Sequence, residues 1–162
     1  MTVKTHISFK DFLNFNIKNS LPRIIIFSLV LLLFFVLNFY NSENGSNEIY
    51  KYVLIWFPAI VIFIFIRSYL SLKNAFYSNL KIQEEIIYTF TAEKVQTRGE
   101  TFESDFAWST VYKVREDRNW FLIYQTKTVM NMIPKKYFSE NEVSELRTLI
   151  RNSGVTAKLL KN

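Results

Sequence analysis

"IIIFSLVLLLFFVLNFY", residues 24–40, carries no charge across its whole length. As a helix it extends about 25 Å at ~1.5 Å per residue. That nearly crosses a hydrocarbon core of ~30 Å, and Leu21 to Arg23 can carry it into the headgroups. A second run, "IYKYVLIWFPAIVIFIFIRSYL", residues 49–70, is apolar from Tyr52 to Ile66 and closed by Arg67. Lys51 lies at its edge, where an ammonium can snorkel to the interface. Neither run has the polar face of a helix that is half exposed to water. With 162 residues in all, too little chain remains to bury both as core helices. Pro58 falls inside the second run and predicts a kink, since membrane helices tolerate proline. The first run starts after 23 residues, is too long for a signal-peptide core, and is followed by "NFYNSENG", a poor cleavage site. The pattern predicts a membrane hairpin: transmembrane helices at 24–40 and 49–70, joined by an external loop at 41–48.

Charge sets the orientation. Lys4, Lys10, Lys18 and Arg23 precede the hairpin, and Arg67, Lys73 and Lys81 follow it. The loop "NSENGSNE" has only Glu43 and Glu48. Basic flanks stay in the cytoplasm, which places both termini inside. Asn44-Gly45-Ser46 matches a glycosylation sequon, read as fortuitous because it lies within a few residues of both membrane ends. The net charge of +6 is concentrated on these flanks, and residues 82–162 contribute only +1. A nucleic-acid-binding domain would carry its own basic surface, so nucleic acid is not expected as a partner.

Working outward, residues 1–23 combine an extended start with an amphipathic stretch. Met1 to Ile7 suits an edge strand. In "SFKDFLNFNIK", Ser8 and Asp11 form a capping-box-like start, and Phe9, Phe12, Leu13 and Ile17 share one helical face. Such a helix either lies in the headgroup plane or packs on a soluble domain. Residues 71–83 continue as a helical linker, with Tyr69 and Tyr77 suited to an interfacial belt.

The periodicity changes at residue 84. "EEIIYTFT" alternates Ile86, Tyr88 and Phe90 onto one face. "KVQTRG", "ETFESDF", "STVYKVRE", "WFLIYQ" and "TVMNMI" follow as short strands, with turns such as "EDRN" between them. About six strands predict an antiparallel meander. Glu84–Glu85 are read as pointing to opposite faces of a strand and Glu116–Asp117 as part of a turn, all four solvated. Ser139 with Glu142 forms a capping box, Val143, Leu146, Leu149 and Ile150 make an apolar stripe, and Gly154 marks the helix end. This predicts an α+β domain at 84–154, a PH-like antiparallel half-barrel capped by one C-terminal helix, with 155–162 as a tail. The expected core is Ile86, Tyr88, Phe90, Phe106, Trp108, Val114, Phe121, Ile123, Met132, Leu146 and Ile150.

One short segment raises the question of a ligand. In "MIPKKYFSENE", residues 130–140, Pro134 forces the chain out of the sheet. Lys135 and Lys136 then stand just before a helix N-terminus, which prefers anions. They are either an anion or partner site or a solvated corner answering Glu140 and Glu142.

The run from Ile86 to Ile150 resembles the YcxB-like family of bacterial membrane proteins. The resemblance is carried by "YTFT-x-E" (88–93), Trp108 before "KVRE", "WFLIY" (120–124) and "IPKK-x-F" (133–138). "HISFKDFLNF" (6–15) is similar to the family's usual opening. Lys136 and Tyr137 stand where the family often has Arg and Ala. The resemblance implies two membrane helices plus a bacterial PH-like domain in the cytoplasmic membrane, with no catalytic residues to carry over. It also implies an alternative role in immunity to a membrane-active bacteriocin or secreted toxin.

Catalytic chemistry is poorly provided for. His6 is the only histidine, there is no cysteine, and the three glycines (Gly45, Gly99, Gly154) are too scattered for a phosphate-binding loop. No spacing suggests a metal site. The expectation is a non-enzyme without cofactors. Its partners are the lipid bilayer and either anionic headgroups or a protein bound by the PH-like domain.

Overall fold

A computed structural model describes residues 1–41 and 47–160, with side chains described outside 38–55. Of the loop assigned to 41–48, residues 42–46 with the Asn44 sequon lie outside these bounds, as does the snorkelling of Lys51, while Asn41, Asn47 and Glu48 belong to the helices. The chain divides into two units: Ser8–Ser78, and a second assembled from Met1–Ile7 with Asn79–Asn162.

The first unit is two long helices, α1 (Phe9–Asn41) and α2 (Asn47–Ser78). Ser8 caps α1 reciprocally with Asp11: the Ser8 N–H donates to Asp11 Oδ2 at 3.1 Å, and the Asp11 N–H to Ser8 Oγ at 3.2 Å. Two stretches of 29 and 23 residues, Phe9–Leu37 and Trp56–Ser78, are long and apolar enough to cross a membrane. Their apolar side chains face outward, with Ile26 62%, Val30 61% and Phe63 62% exposed. Core helices of a water-soluble protein would bury them. The separate amphipathic helix expected before residue 24 does not exist as such, because α1 runs unbroken through Pro22. Its first turn packs on α2. Phe9 stacks against Tyr69, Phe76 and Tyr77 of α2, with ring centroids 5.6–6.0 Å apart, and Phe12 against Phe76 at 5.5 Å.

The second unit is the β domain. A short helix, α3 (Leu80–Gln83), leads into β2 (Glu85–Phe90), β3 (Lys94–Arg98) and β4 (Glu103–Ala107). The N-terminal strand β1 (Thr2–His6) pairs antiparallel with β2, Val3 opposite Tyr88, to complete the sheet β1-β2-β3-β4. The second sheet, β7-β6-β5-β8, is built from β5 (Lys113–Glu116), β6 (Trp120–Tyr124), β7 (Met130–Pro134) and β8 (Ala157–Lys158). Helix α4 (Glu140–Asn152) starts with the expected Ser139–Glu142 capping box and ends before Gly154, whose φ of 72° places it in the left-handed region. Both sheets are open, and one apolar cluster joins their inner faces to Leu146 and Ile150 of α4.

Four expectations need correction. "STVYKVRE" is not one strand: Trp108–Thr110 forms a 3-10 turn, and only Lys113–Glu116 pairs in the sheet. The residues assigned to the tail include β8, which runs parallel to β5, Val114 opposite Ala157, so the domain is not purely antiparallel. Met132 and Phe106 are only half-buried, and Ile133 fills the core instead. In β7 the pairing of Phe121 with Ile133 fixes the register, and side chains alternate faces along a strand, so Met132 points away. The carboxylates Glu84 and Glu116 are not solvated: both residues are buried.

Candidate functional site

Glu116 ends β5, and strand parity decides its position. Residues two apart share a face, so the inward orientation of Val114 turns Glu116 inward as well, while Arg115 and Asp117 pair with each other at 2.7 Å on the outer side. A lone carboxylate there would be costly. Three segments supply its partners. Lys135, in the 3-10 turn Lys135–Tyr137, places Nζ 2.5 Å from Oε1. Arg147 of α4 donates from Nη2 to Oε1 at 2.8 Å and from Nε to Oε2 at 3.0 Å. The backbone N–H of Leu160, beyond β8, donates to Oε2 at 3.0 Å.

The Glu116 side chain is fully enclosed, and those of Lys135 and Arg147 are only 15% and 14% exposed. Burial pushes the Glu116 carboxyl up, but the hydrogen bonds from Arg147, Lys135 and Leu160, with the charge of Lys135, outweigh it and hold it below its ordinary value. Lys135 also stands over the Phe121 ring, 5.3 Å from its centroid.

This places the two lysines differently. Lys135 turns inward onto Glu116 and answers neither Glu140 nor Glu142. Lys136 is exposed, its ammonium 5.1 Å from the Tyr137 ring centroid. Glu142 is taken by the cap, accepting from the Ser139 N–H at 2.8 Å. The pair therefore does not present two ammonium groups on one outward surface.

A second buried carboxylate ties the segment after α2 to the β3–β4 turn. Glu84 directly follows α3 and accepts from the backbone N–H groups of Glu100 and Thr101 at 2.6 and 3.0 Å, and from the Thr101 hydroxyl at 2.5 Å. The Thr101 hydroxyl is the largest cause holding its carboxyl below the ordinary value. Gly99 makes this grip possible, because a Cβ there would collide with the carboxylate and with the Phe102 ring. Lys81 covers that ring from 5.2 Å.

His6, the only histidine, lies in β1 with its Nδ1 buried and without a hydrogen-bond partner. Among the described residues, no group of three or more His, Cys, Asp or Glu side chains is arranged to hold a metal ion.

Residues 90–150 match the family model described as YcxB-like protein. Over that span the chain is similar to this family. The matched segment runs from the end of β2 to the last buried residue of α4, and contains Glu116, Lys135, Lys136 and Arg147. Strand β1, both apolar helices, Glu84 and Leu160 lie outside it. No curated protein and no solved structure matches the chain.

Sequence reasoning found Lys135 but missed Glu116 and Arg147. The signal for Glu116 was present: extending the Val114 alternation by one step puts it inside. Arg147 was legible only as a helix residue next to the Leu146 stripe position, with nothing to name its partner 31 positions away.

Proposed function

We propose that the chain is an integral membrane protein whose hairpin anchors a cytoplasmic, PH-like, non-enzymatic binding or regulatory domain containing the YcxB-like segment. The observation that carries this reading is the pair of apolar helices with basic residues on both outer flanks and none in the loop. The shared sheet of β1 and β2 supports it independently. Residues 2–6 and 85–90 pair strand to strand, so they lie on one side of any membrane, and the chain between them must cross an even number of times. Two open sheets with a C-terminal helix packed into their core support the PH-like half-barrel. The cytoplasmic face of a bacterial inner membrane is the location proposed. The immunity reading has only the family resemblance behind it.

Cysteine labelling tests the topology cleanly, because the chain has no cysteine of its own. A membrane-impermeant maleimide added to intact cells is expected to label Ser46→Cys, which lies outside the described residues, and to spare Lys127→Cys in the exposed β6–β7 turn. Labelling of Lys127→Cys alone would invert the orientation.

The domain's ligand is proposed to be anionic lipid headgroups or an acidic protein surface, with Lys136 as the outward cation and Lys135 as its structural neighbour. The domain can be made by joining residues 1–7 to 79–162 through a short linker. In that protein, Lys136→Ala should weaken binding to anionic vesicles in a salt-sensitive way, by roughly fivefold for one cation near a charged surface. Unchanged binding at low salt would remove Lys136 from the reading.

A further inference from the structure

The hairpin contains an open cleft with a polar end. On α1 the residues lining it recur at helical spacing, among them Ser20, Ile24, Phe27 and Leu31, and on α2 they include Val61 and Phe65. Toward the loop it is an apolar cavity of about 200 Å³ that reaches Arg23 at its edge. Next to it lies a cavity of about 380 Å³ shared by Leu13, Ile17, Tyr69 and Leu72. A third, of about 440 Å³, is lined by Ser20, Arg67, Ser68 and Ser71. The small serine side chains leave space between the helices that larger residues would fill.

The two arginines stand at matching depth. Arg23 lies 18 residues before the end of α1 at Asn41, and Arg67 lies 20 residues after the start of α2 at Asn47. At ~1.5 Å per residue both are roughly 27–30 Å from the loop end, one hydrocarbon thickness, where lipid phosphates reside. Neither arginine has a carboxylate near it along the helices: the sequence has no Asp or Glu between Asp11 and Glu43, nor between Glu48 and Glu84. Among the described residues neither guanidinium has a hydrogen-bond or ion-pair partner. Guanidinium matches a phosphate with paired donors, serine hydroxyls add further donors, and the adjoining apolar cavity suits an acyl chain.

We infer that the cleft between α1 and α2 is a binding site for one diacyl phospholipid with an anionic headgroup, its phosphate held by Arg23 and Arg67 with Ser20, Ser68 and Ser71, and one acyl chain along Phe27 and Val61. The inference rests on insertion of the hairpin in a bilayer, which the cysteine labelling tests separately. It is independent of any ligand of the β domain.

The test uses the full chain in mild detergent, observed by native mass spectrometry and thermal unfolding with added phosphatidylglycerol, phosphatidylcholine or glycerol phosphate. The wild type should retain one phosphatidylglycerol and be stabilised by it more than by phosphatidylcholine, with no effect of glycerol phosphate at equal concentration. Arg23→Gln with Arg67→Gln should weaken retention about thirtyfold, as expected for two cations near an anionic headgroup. Lys73→Gln, an equal loss of charge outside the cleft on the same helix, should leave retention within about twofold. Ser68→Phe, which fills the cleft and keeps both arginines, should abolish retention even if the double variant proves too unstable to purify. Equal retention by wild type and Ser68→Phe would overturn the site. So would equal effects of Lys73→Gln and Arg67→Gln, stabilisation by glycerol phosphate alone, or a lipid-free dimer with a second copy in the cleft.

Discussion

Truncating Trp108 to alanine should lower the unfolding midpoint of the β domain by about 15 °C or more. Removing a buried large aromatic costs about 3–5 kcal/mol, and in a domain of this size each kcal/mol moves the midpoint by roughly 4–8 °C. Trp108 is 2% exposed and sits in the apolar cluster between the two sheets. Its indole N–H also donates to the Thr91 carbonyl at 2.9 Å, pinning the β2–β3 turn to the 3-10 turn that links the sheets. Trp108→Phe should lose that bond yet keep most of the packing, and so cost clearly less. Thermal unfolding of the full chain in detergent, followed through the fluorescence of Trp120 in a Trp56→Phe background, would read both. An unchanged midpoint for Trp108→Ala would mean that the core is not built around this ring.

Glu116→Ala should be of similar size for a different reason. It leaves Lys135 and Arg147, both nearly enclosed, and the Leu160 N–H without their shared acceptor. Breaking a buried ion pair from one side costs about 3–5 kcal/mol, because an uncompensated charge stays behind. Glu116→Gln keeps the shape and some hydrogen bonds, and should fall between alanine and wild type.

The pH dependence has a definite sign. The folded Glu116 carboxyl is held below its ordinary value, so near pH 4 the unfolded chain binds more protons than the folded one. Its contribution is complete above the unfolded value of about 4.3 and is lost as pH falls through the lower folded value. Wild type should therefore lose stability between about pH 5 and pH 3, and Glu116→Gln should lose less over that window. Glu84 and Glu142 are shifted in the same direction, so the variant's curve should be shallower but not flat. A Glu116→Gln profile parallel to wild type would show that the carboxylate is not carrying the charge here.

What the sequence disclosed was what short-range chemistry encodes. The Ser8–Asp11 and Ser139–Glu142 caps, the Ile86–Tyr88–Phe90 face and the apolar hairpin each depend on residues within a few positions of one another. Met132 was misplaced because "VMNMI" has apolar residues on both faces, and only its pairing with β6 decides between them. Strand β8 escaped notice because two residues, Ala157 and Lys158, gain their strand identity wholly from β5, more than forty positions away. The Glu116 cluster gathers positions 116, 135, 147 and 160. Taken singly, each is an ordinary charged or loop residue, and nothing local marks the carboxylate as the point where turn, helix and tail meet.

The pairing of β1 with β2 imposes an order on biogenesis. Residues 2–6 leave the ribosome roughly eighty residues ahead of their partners at 85–90, a wait of about 4–16 s at ordinary translation rates of ~5–20 residues per second. Both apolar helices are made in that interval. The first sheet cannot close until the second helix has been delivered, and it closes only if the chain has returned to the side from which it set out. With the proposed topology, a chain that inserted one helix would strand β1 across the bilayer from β2 and leave an open strand edge, the kind of surface that recruits aggregation. For a hairpin that spans the bilayer as proposed, closure of the sheet would then act as a check on insertion, set by the separation of one strand from the rest of its domain.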